Sequence, residues 1–237
     1  MRLINLSEMT IGDIVANNYR TAEVFEKHGI DFCCGGKITL TEACLKQRLD
    51  LAALMSELES LQLTPIDRSQ NYSSWALPFL ADYIVNTHHV YLKENDEQIA
   101  TYARKVASVH GARHPEVIQI ATIFEKIAHD MVGHLKEEEE IFFPALKRAD
   151  AARISGNTPD AGDREAIRRS LLRLHREHEE IGEAVHTIRH LSKEYAIPVD
   201  ACNTFAITYR KLKEFEDDLH KHVHLENNIL FLKAAQL

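Results

Sequence analysis

Apolar positions recur every three or four residues along four long stretches of the chain, and no stretch of useful length alternates as a strand would. The first, from about Trp75 to Ser108, carries the stripe Leu77, Leu80 or Ala81, Ile84, His88, Tyr91 or Leu92. The second, from about Pro115 to Ala149, carries Ile120, Phe124, Ile127, Met131, His134, Glu138, Ile141 or Phe142. The third, about Asp163 to Tyr195, gives Ile167, Leu171, Leu174, His178, Ile181, Val185 and Ile188. The fourth, about Val199 to Ala235, gives Phe205, Thr208, Leu212, Phe215, Leu219, His222, Glu226, Ile229 or Leu230. Each stripe is the core-facing side of a helix. A polar loop, Asp150 to Gly162, and a tight Ala196-Ile197-Pro198 connection separate the later helices. Long amphipathic helices with short connections predict an antiparallel four-helix bundle.

Upstream, Thr10 and Ile11 open a helical pattern through Ile14, Val15, Ala22, Val24 and Phe25, which stops near His28-Gly29. Asp31-Phe32-Cys33-Cys34-Gly35-Gly36-Lys37 reads as a turn, because the glycine pair opens backbone angles that other residues avoid. Thr39 or Thr41 caps a short helix through Gln47, and Asp50 caps another, Leu51 to Leu61. The segment LTPIDRSQNYSS, residues 63–74, has the composition of a linker. The expected organisation is all-α: a small helical N-terminal domain over 1–62, a linker over 63–74 and the bundle over 75–237.

Each bundle stripe passes through one histidine, and two pass through a glutamate as well. His134-Leu135-Lys136-Glu137-Glu138 and His222-Val223-His224-Leu225-Glu226 both continue as His-x-x-x-Glu-x-x-Ile-(Phe/Leu)-Phe. Positions i and i+4 share a helix face, so each copy aims an imidazole and a carboxylate at one point. The order is symmetric: His88 precedes His134 with Glu138, and His178 precedes His222 with Glu226. Burying two carboxylates without partners costs several kcal/mol each, so a cation is expected among them. Four imidazoles and two carboxylates suit iron, manganese or zinc, and iron fits a di-iron bundle best. With both glutamates bridging, each metal would have two histidines and two carboxylate oxygens, with room for a bridging oxide and an open position. His89, His110, His114, His129, His186, His190 and His220 fall off the stripes and are expected in solvent; His175 and His224 flank them as candidate supporting groups or spare ligands. Glu137, Glu139 and Glu140 are expected on a charged outer face, and Asp130 is a candidate to orient His134.

The 14 histidines are the compositional outlier among 237 residues; four cysteines do not make a disulfide framework. Cys33 and Cys34 are adjacent, with Lys37 and a helix start nearby, which would favour thiolate and a redox, metal-relay or nitric-oxide-accepting role. Cys44 and Cys202 read as structural. A net charge of −8 without a basic patch argues against nucleic acid. No apolar run reaches the ~18 residues of a membrane span, and no signal-peptide core is evident, so a cytoplasmic location is expected.

The Asp31–Lys37 turn in a short helical domain resembles the ScdA-type domain, and the histidine bundle resembles the hemerythrin-like domain. Together, over essentially the whole chain, they are similar to the di-iron proteins that repair iron–sulfur clusters, the RIC family. The resemblance implies a non-haem, oxo- and carboxylate-bridged centre of two iron ions, with His88, His134, His178 and His222 as terminal ligands and Glu138 and Glu226 as bridges. It implies repair of clusters damaged by nitric oxide or peroxide, in the cytoplasm, with damaged iron–sulfur proteins as partners. Leu232 stands where a proline like Pro144 is more usual. The repair reading has the centre donating iron. Reduction of nitric oxide to nitrous oxide at the same centre is the enzymatic alternative, and a hemerythrin-type module binding or sensing oxygen or nitric oxide is the third. A homodimer would let one chain's cysteine pair approach another's bundle.

Overall fold

The computed structural model describes residues 6–62 and 70–237, and among these no strand forms. The N-terminal half of the expected linker, Leu63 to Ser69, lies outside the described residues. The helices are α1 (Ile11–Asn17), α2 (Thr21–Lys27), α3 (Leu40–Gln47), α4 (Leu51–Gln62), α5 (Leu77–Ile84), α6 (Val90–His110), α7 (Glu116–Glu137), α8 (Phe143–Ile154), α9 (Ala161–Leu191), α10 (Asn203–Leu225) and α11 (Phe231–Ala234). Three π-helical segments, Val85–His89, Glu138–Phe142 and Glu226–Leu230, join α5 to α6, α7 to α8 and α10 to α11. Four long helical rods therefore span 77–110, 116–154, 161–191 and 203–234. The chain divides into two compact units, Met1–Leu80 with His220–Gln236, and Ala81–Leu219.

In the first unit, the expected single helix from Thr10 to His28 is instead two. Asn18 stops α1 in extended backbone, φ −152°. Its side chain accepts from Arg20 N, and Thr21 Oγ1 donates to its carbonyl, so the competing local hydrogen bonds break the helix. Thr10 caps α1 through Asp13 N, and Thr39 with Glu42 forms a capping box on α3. Ile11 N and Gly12 N donate to Ile38 O and Gly36 O, which ties the glycine turn to α1. The approach is close: a Cβ on Gly36 would stand 2.5 Å from Phe32 O. Ile11, Phe25, Phe32, Leu40, Leu58 and Phe231 are buried in this unit.

In the second unit, cross-helix pairs show the helix directions. Asp82 and Lys93 pair with Lys147 and Glu139, so the first rod runs antiparallel to the second. Glu137 and Arg148 pair with Arg173 and Asp163, antiparallel again for the third. His88 and Asn95 bond Asp218 and Lys211, which sets α10 antiparallel to the first rod. Phe124 and Phe215, fully buried, meet edge to face with ring centres 5.0 Å apart.

Candidate metal centre

The i, i+4 spacing on α7 and the antiparallel run of α9 bring His134, Glu138 and His178 together in the second unit. His134 Nε2 and His178 Nε2 face each other at 3.3 Å, and Glu138 Oε2 lies 3.4 Å from His134 Nε2. A second imidazole reaches Glu138 as well: His89 Nε2, at 3.3 Å. All four side chains are buried.

His89 corrects the sequence reading, which placed it in solvent and put His88 on the stripe. A π turn holds one residue more than an α turn, so the segment Val85–His89 breaks the 3.6-residue phase and turns both imidazoles inward. His88 is buried too, but its Nδ1 bonds Asp218 Oδ1 at 2.9 Å, and the described residues do not gather it with Glu138. The chain spacing agrees with the shift: His89 to His134 is 45 residues and His178 to His222 is 44, against 46 from His88.

Carboxylates stand behind two of these rings. His134 Nδ1 bonds Glu177 Oε2 at 2.9 Å, and Arg173 Nε donates to Glu177 Oε1 at 2.7 Å. The His134 contact, together with Arg173, outweighs burial and holds the Glu177 carboxyl down at about 2. His89 Nδ1 bonds Glu139 Oε1 at 2.8 Å, where Lys93 also donates. Burial opposes ionisation of Glu139, but Lys93 and His89 prevail and its carboxyl lies below the usual range. A carboxylate on Nδ1 places the proton there and leaves Nε2 as a lone-pair donor toward the site. The residue expected to orient His134, Asp130, is exposed and pairs with Lys126 instead. Glu177 and Glu139 were missed because each is remote in sequence from the ring it supports, and Glu139 sits in a run of acids that reads as surface.

The first unit holds the second motif. His222 Nε2 lies 3.1 Å from Glu226 Oε1, and both are fully buried. His224 is buried between Tyr19 and Phe32, and Asn228 Nδ2 donates to its Nδ1 at 3.0 Å. Burial pushes its pKa down to about 3, so it is a neutral wedge between helices.

These separations test whether a metal fits. Two donor atoms at about 2.1 Å from one ion, at about 90 to 110°, stand roughly 3.0 to 3.4 Å apart. The nitrogen–nitrogen and nitrogen–oxygen distances above run from 3.1 to 3.4 Å. The chemistry agrees, since imidazole and carboxylate together bind borderline divalent cations. The buried His/Glu groups can hold metal.

The cysteine turn lies in the first unit. Asp31 Oδ1 accepts from Cys33 N and Cys34 N, and Oδ2 from Gly35 N. Cys33 is buried and its thiol contacts Asp31 Oδ1 at 3.2 Å. The expectation that Lys37 would favour thiolate fails for Cys33: the Cys34 hydrogen bond, burial, and the charges of Cys34 and Asp31 push its pKa well up. Cys44 is buried as expected, whereas Cys202 is exposed, with His110 Nε2 at 3.2 Å.

Comparison with known proteins divides the chain differently from the two compact units, keeping the C-terminal residues with the bundle. Residues 80–234 match the hemerythrin HHE cation binding domain, and residues 7–62 match the ScdA N-terminal domain, described as a domain of unknown function. The chain belongs to the hemerythrin HHE family. It is 32% identical over 230 residues to the iron-sulfur cluster repair protein ScdA of Staphylococcus haemolyticus, covering 97% of this chain and 99% of that one. It is 32% identical over 217 residues to the iron-sulfur cluster repair protein YtfE of Yersinia pestis, covering 92% of each. The HHE match includes His89, His134, Glu138, His178, His222 and Glu226 in one cation binding domain. No helix among the described residues is long and apolar enough to cross a membrane.

Proposed function

We propose that this HHE protein is a cytoplasmic di-iron protein that repairs iron–sulfur clusters damaged by nitrosative or oxidative stress, by donating iron to them. The observation that carries the reading is the set of buried Nε2 and carboxylate atoms at ligand spacing, in a chain that is full-length similar to proteins named for cluster repair. His89, His134, His178 and His222 would supply imidazole donors to the iron, and Glu138 and Glu226 carboxylate donors. His89 replaces His88 in the set inferred from the stripes, because it is His89 that faces Glu138.

Iron supplies the ion that the damaged cluster has lost, and the side chains decide how firmly it is kept. The two buried carboxylates are stabilised by its charge. Glu177 and Glu139 hold two imidazoles with Nε2 facing Glu138, where the metal would sit. Arg173 shares Glu177 with His134, which weakens the push that Glu177 gives the ring and favours exchange at that end. A client cluster protein presents sulfur donors, which compete for a borderline cation better than imidazole does.

The test mixes the iron-loaded protein with an iron–sulfur enzyme inactivated by nitric oxide and follows recovered activity. Recovery should exceed that given by the same amount of free ferrous iron. Equal recovery from free iron sinks the proposal, and nitrous oxide in the headspace of the reduced protein exposed to nitric oxide would favour the enzymatic alternative.

A further inference from the structure

The Cys33-Cys34 turn has the geometry of a cation site of its own. Cys33 Sγ and Cys34 Sγ stand 3.9 Å apart, and Cys33 Sγ is 3.2 Å from Asp31 Oδ1. Neither thiol is in a disulfide. Two thiolates at about 2.3 Å from one tetrahedral ion lie roughly 3.8 Å apart, and a carboxylate oxygen at about 2.1 Å completing the set lies roughly 3.5 Å from each sulfur, so the Asp31 oxygen needs to move only a few tenths of an ångström. Ligand atoms of Asp31, Cys33 and Cys34 all fall within 4.8 Å of one another.

The turn is built to hold them there. Three backbone N–H groups fix the Asp31 carboxylate, and Oδ2 takes only one of them, which leaves it acceptor capacity. Asn227 Nδ2 donates to Cys33 O at 3.4 Å and Asn228 Nδ2 to Phe32 O at 3.0 Å, so the two residues that follow Glu226 clamp the turn. Gly35 N–H is not the only glycine constraint, because Gly12 N donates to Gly36 O. Cys34 is half-buried rather than enclosed, so the fourth ligand position is accessible to an incoming group.

We infer that Asp31, Cys33 and Cys34 form a second, thiolate-rich site for one borderline cation, ferrous iron or zinc, distinct from the His/Glu donors. Binding releases the two thiol protons to solvent and moves no electrons. The ion has two sulfurs and one oxygen from the chain, and its remaining position accepts a donor from a partner protein, which suits a site that hands a metal on. The inference stands on the turn alone and does not require the His/Glu centre to hold iron.

Cobalt(II) titration of the full-length, metal-free chain under reducing conditions tests it. The expected result is a thiolate-to-cobalt charge-transfer band that saturates at about one ion per chain and is lost in Cys34→Ser and in Cys33→Ser. Zinc and ferrous iron are then added in separate arms, and the one that bleaches the band at lower concentration is the preferred occupant. His134→Ala should leave the band intact while lowering the total metal count, so that failure of the His/Glu centre and failure of this site are read separately. Should Cys33→Ser unfold, the half-buried Cys34→Ser and Asp31→Asn carry the test, with circular dichroism to confirm folding. No sulfur band in the wild type, or a band unchanged in folded Cys34→Ser, overturns the inference.

Discussion

His88 and His89 are neighbours in sequence, both buried, and each has a carboxylate on Nδ1, yet only His89 points Nε2 at Glu138. Replacing His89 by Ala should therefore cost about one of two bound metals, while His88→Ala should keep both; metal analysis of the iron-loaded variants decides, and equal losses would return His88 to the donor set. Beside His88 lies a second acidic cluster. Asp96 Oδ1 is buried without a hydrogen-bond partner, and burial, then the charge of Asp218, pushes the Asp96 carboxyl up to about 7 from 3.8. Tyr91 is pushed up by burial and by Asp218 as well. A raised folded pKa means that the stability is fully present below pH 3.8 and is lost as pH rises through about 7. Asp96→Asn should thus add up to about 4 kcal/mol at pH 8, from a shift of about 3 units at 1.36 kcal/mol each, and nothing at pH 3.5. Urea denaturation at the two pH values measures it, and a gain independent of pH would show that the charge of Asp96 is not the cause.

At the scale of elements, each of the three π segments carries a buried histidine or glutamate. Glu138 and Glu226 each open one, and His88 and His89 close the third. A π turn costs hydrogen-bond quality relative to an α turn, and it persists where surrounding contacts or ligands demand it. Deleting Thr87, within the first segment, should let that turn close as an α turn and swing His89 about 100° around the helix axis, away from Glu138. The expected outcome is a well-folded helical protein by circular dichroism with metal affinity lowered at least tenfold; undiminished binding would mean that the π turn does not aim His89. The same segments explain which part of the site could be read in advance. His134 with Glu138, and His222 with Glu226, were legible because i, i+4 spacing lies within one turn and precedes the irregularity. The choice between two adjacent histidines was not legible, because a 3.6-residue stripe has no way to register one inserted residue.

At the scale of the whole molecule, two buried carboxylates and several buried imidazoles leave the metal-free chain with charge that the metal would offset. Chelation should lower thermal stability: at free metal 1,000-fold above its dissociation constant, binding contributes about 4 kcal/mol, or a fall in Tm of roughly 8 to 16 °C for a chain of this size. Differential scanning calorimetry with and without chelator measures this, and the gap should shrink in Glu138→Ala and Glu226→Ala. A Tm unaffected by chelation would mean that these carboxylates are satisfied without metal. The net charge of −8 acts at this scale too, since it favours approach of cations over anions.

The all-α class, the four rods and the His-x-x-x-Glu pairs were determined by the sequence alone, because helical periodicity and i, i+4 spacing are local properties of the chain. So was the turn at Asp31–Lys37, because adjacent glycines restrict little and an aspartate offers its oxygens to the backbone just ahead of it. Tertiary structure decided the rest. It broke the first helix at Asn18, turned His89 toward Glu138 through a π turn, and put Glu177 and Glu139 behind the rings. It also buried Cys33 beside Cys34 and Asp31, which raise its pKa where Lys37 was expected to lower it. Each of those outcomes depends on which side chain arrives from a distant part of the chain, and only packing determines that.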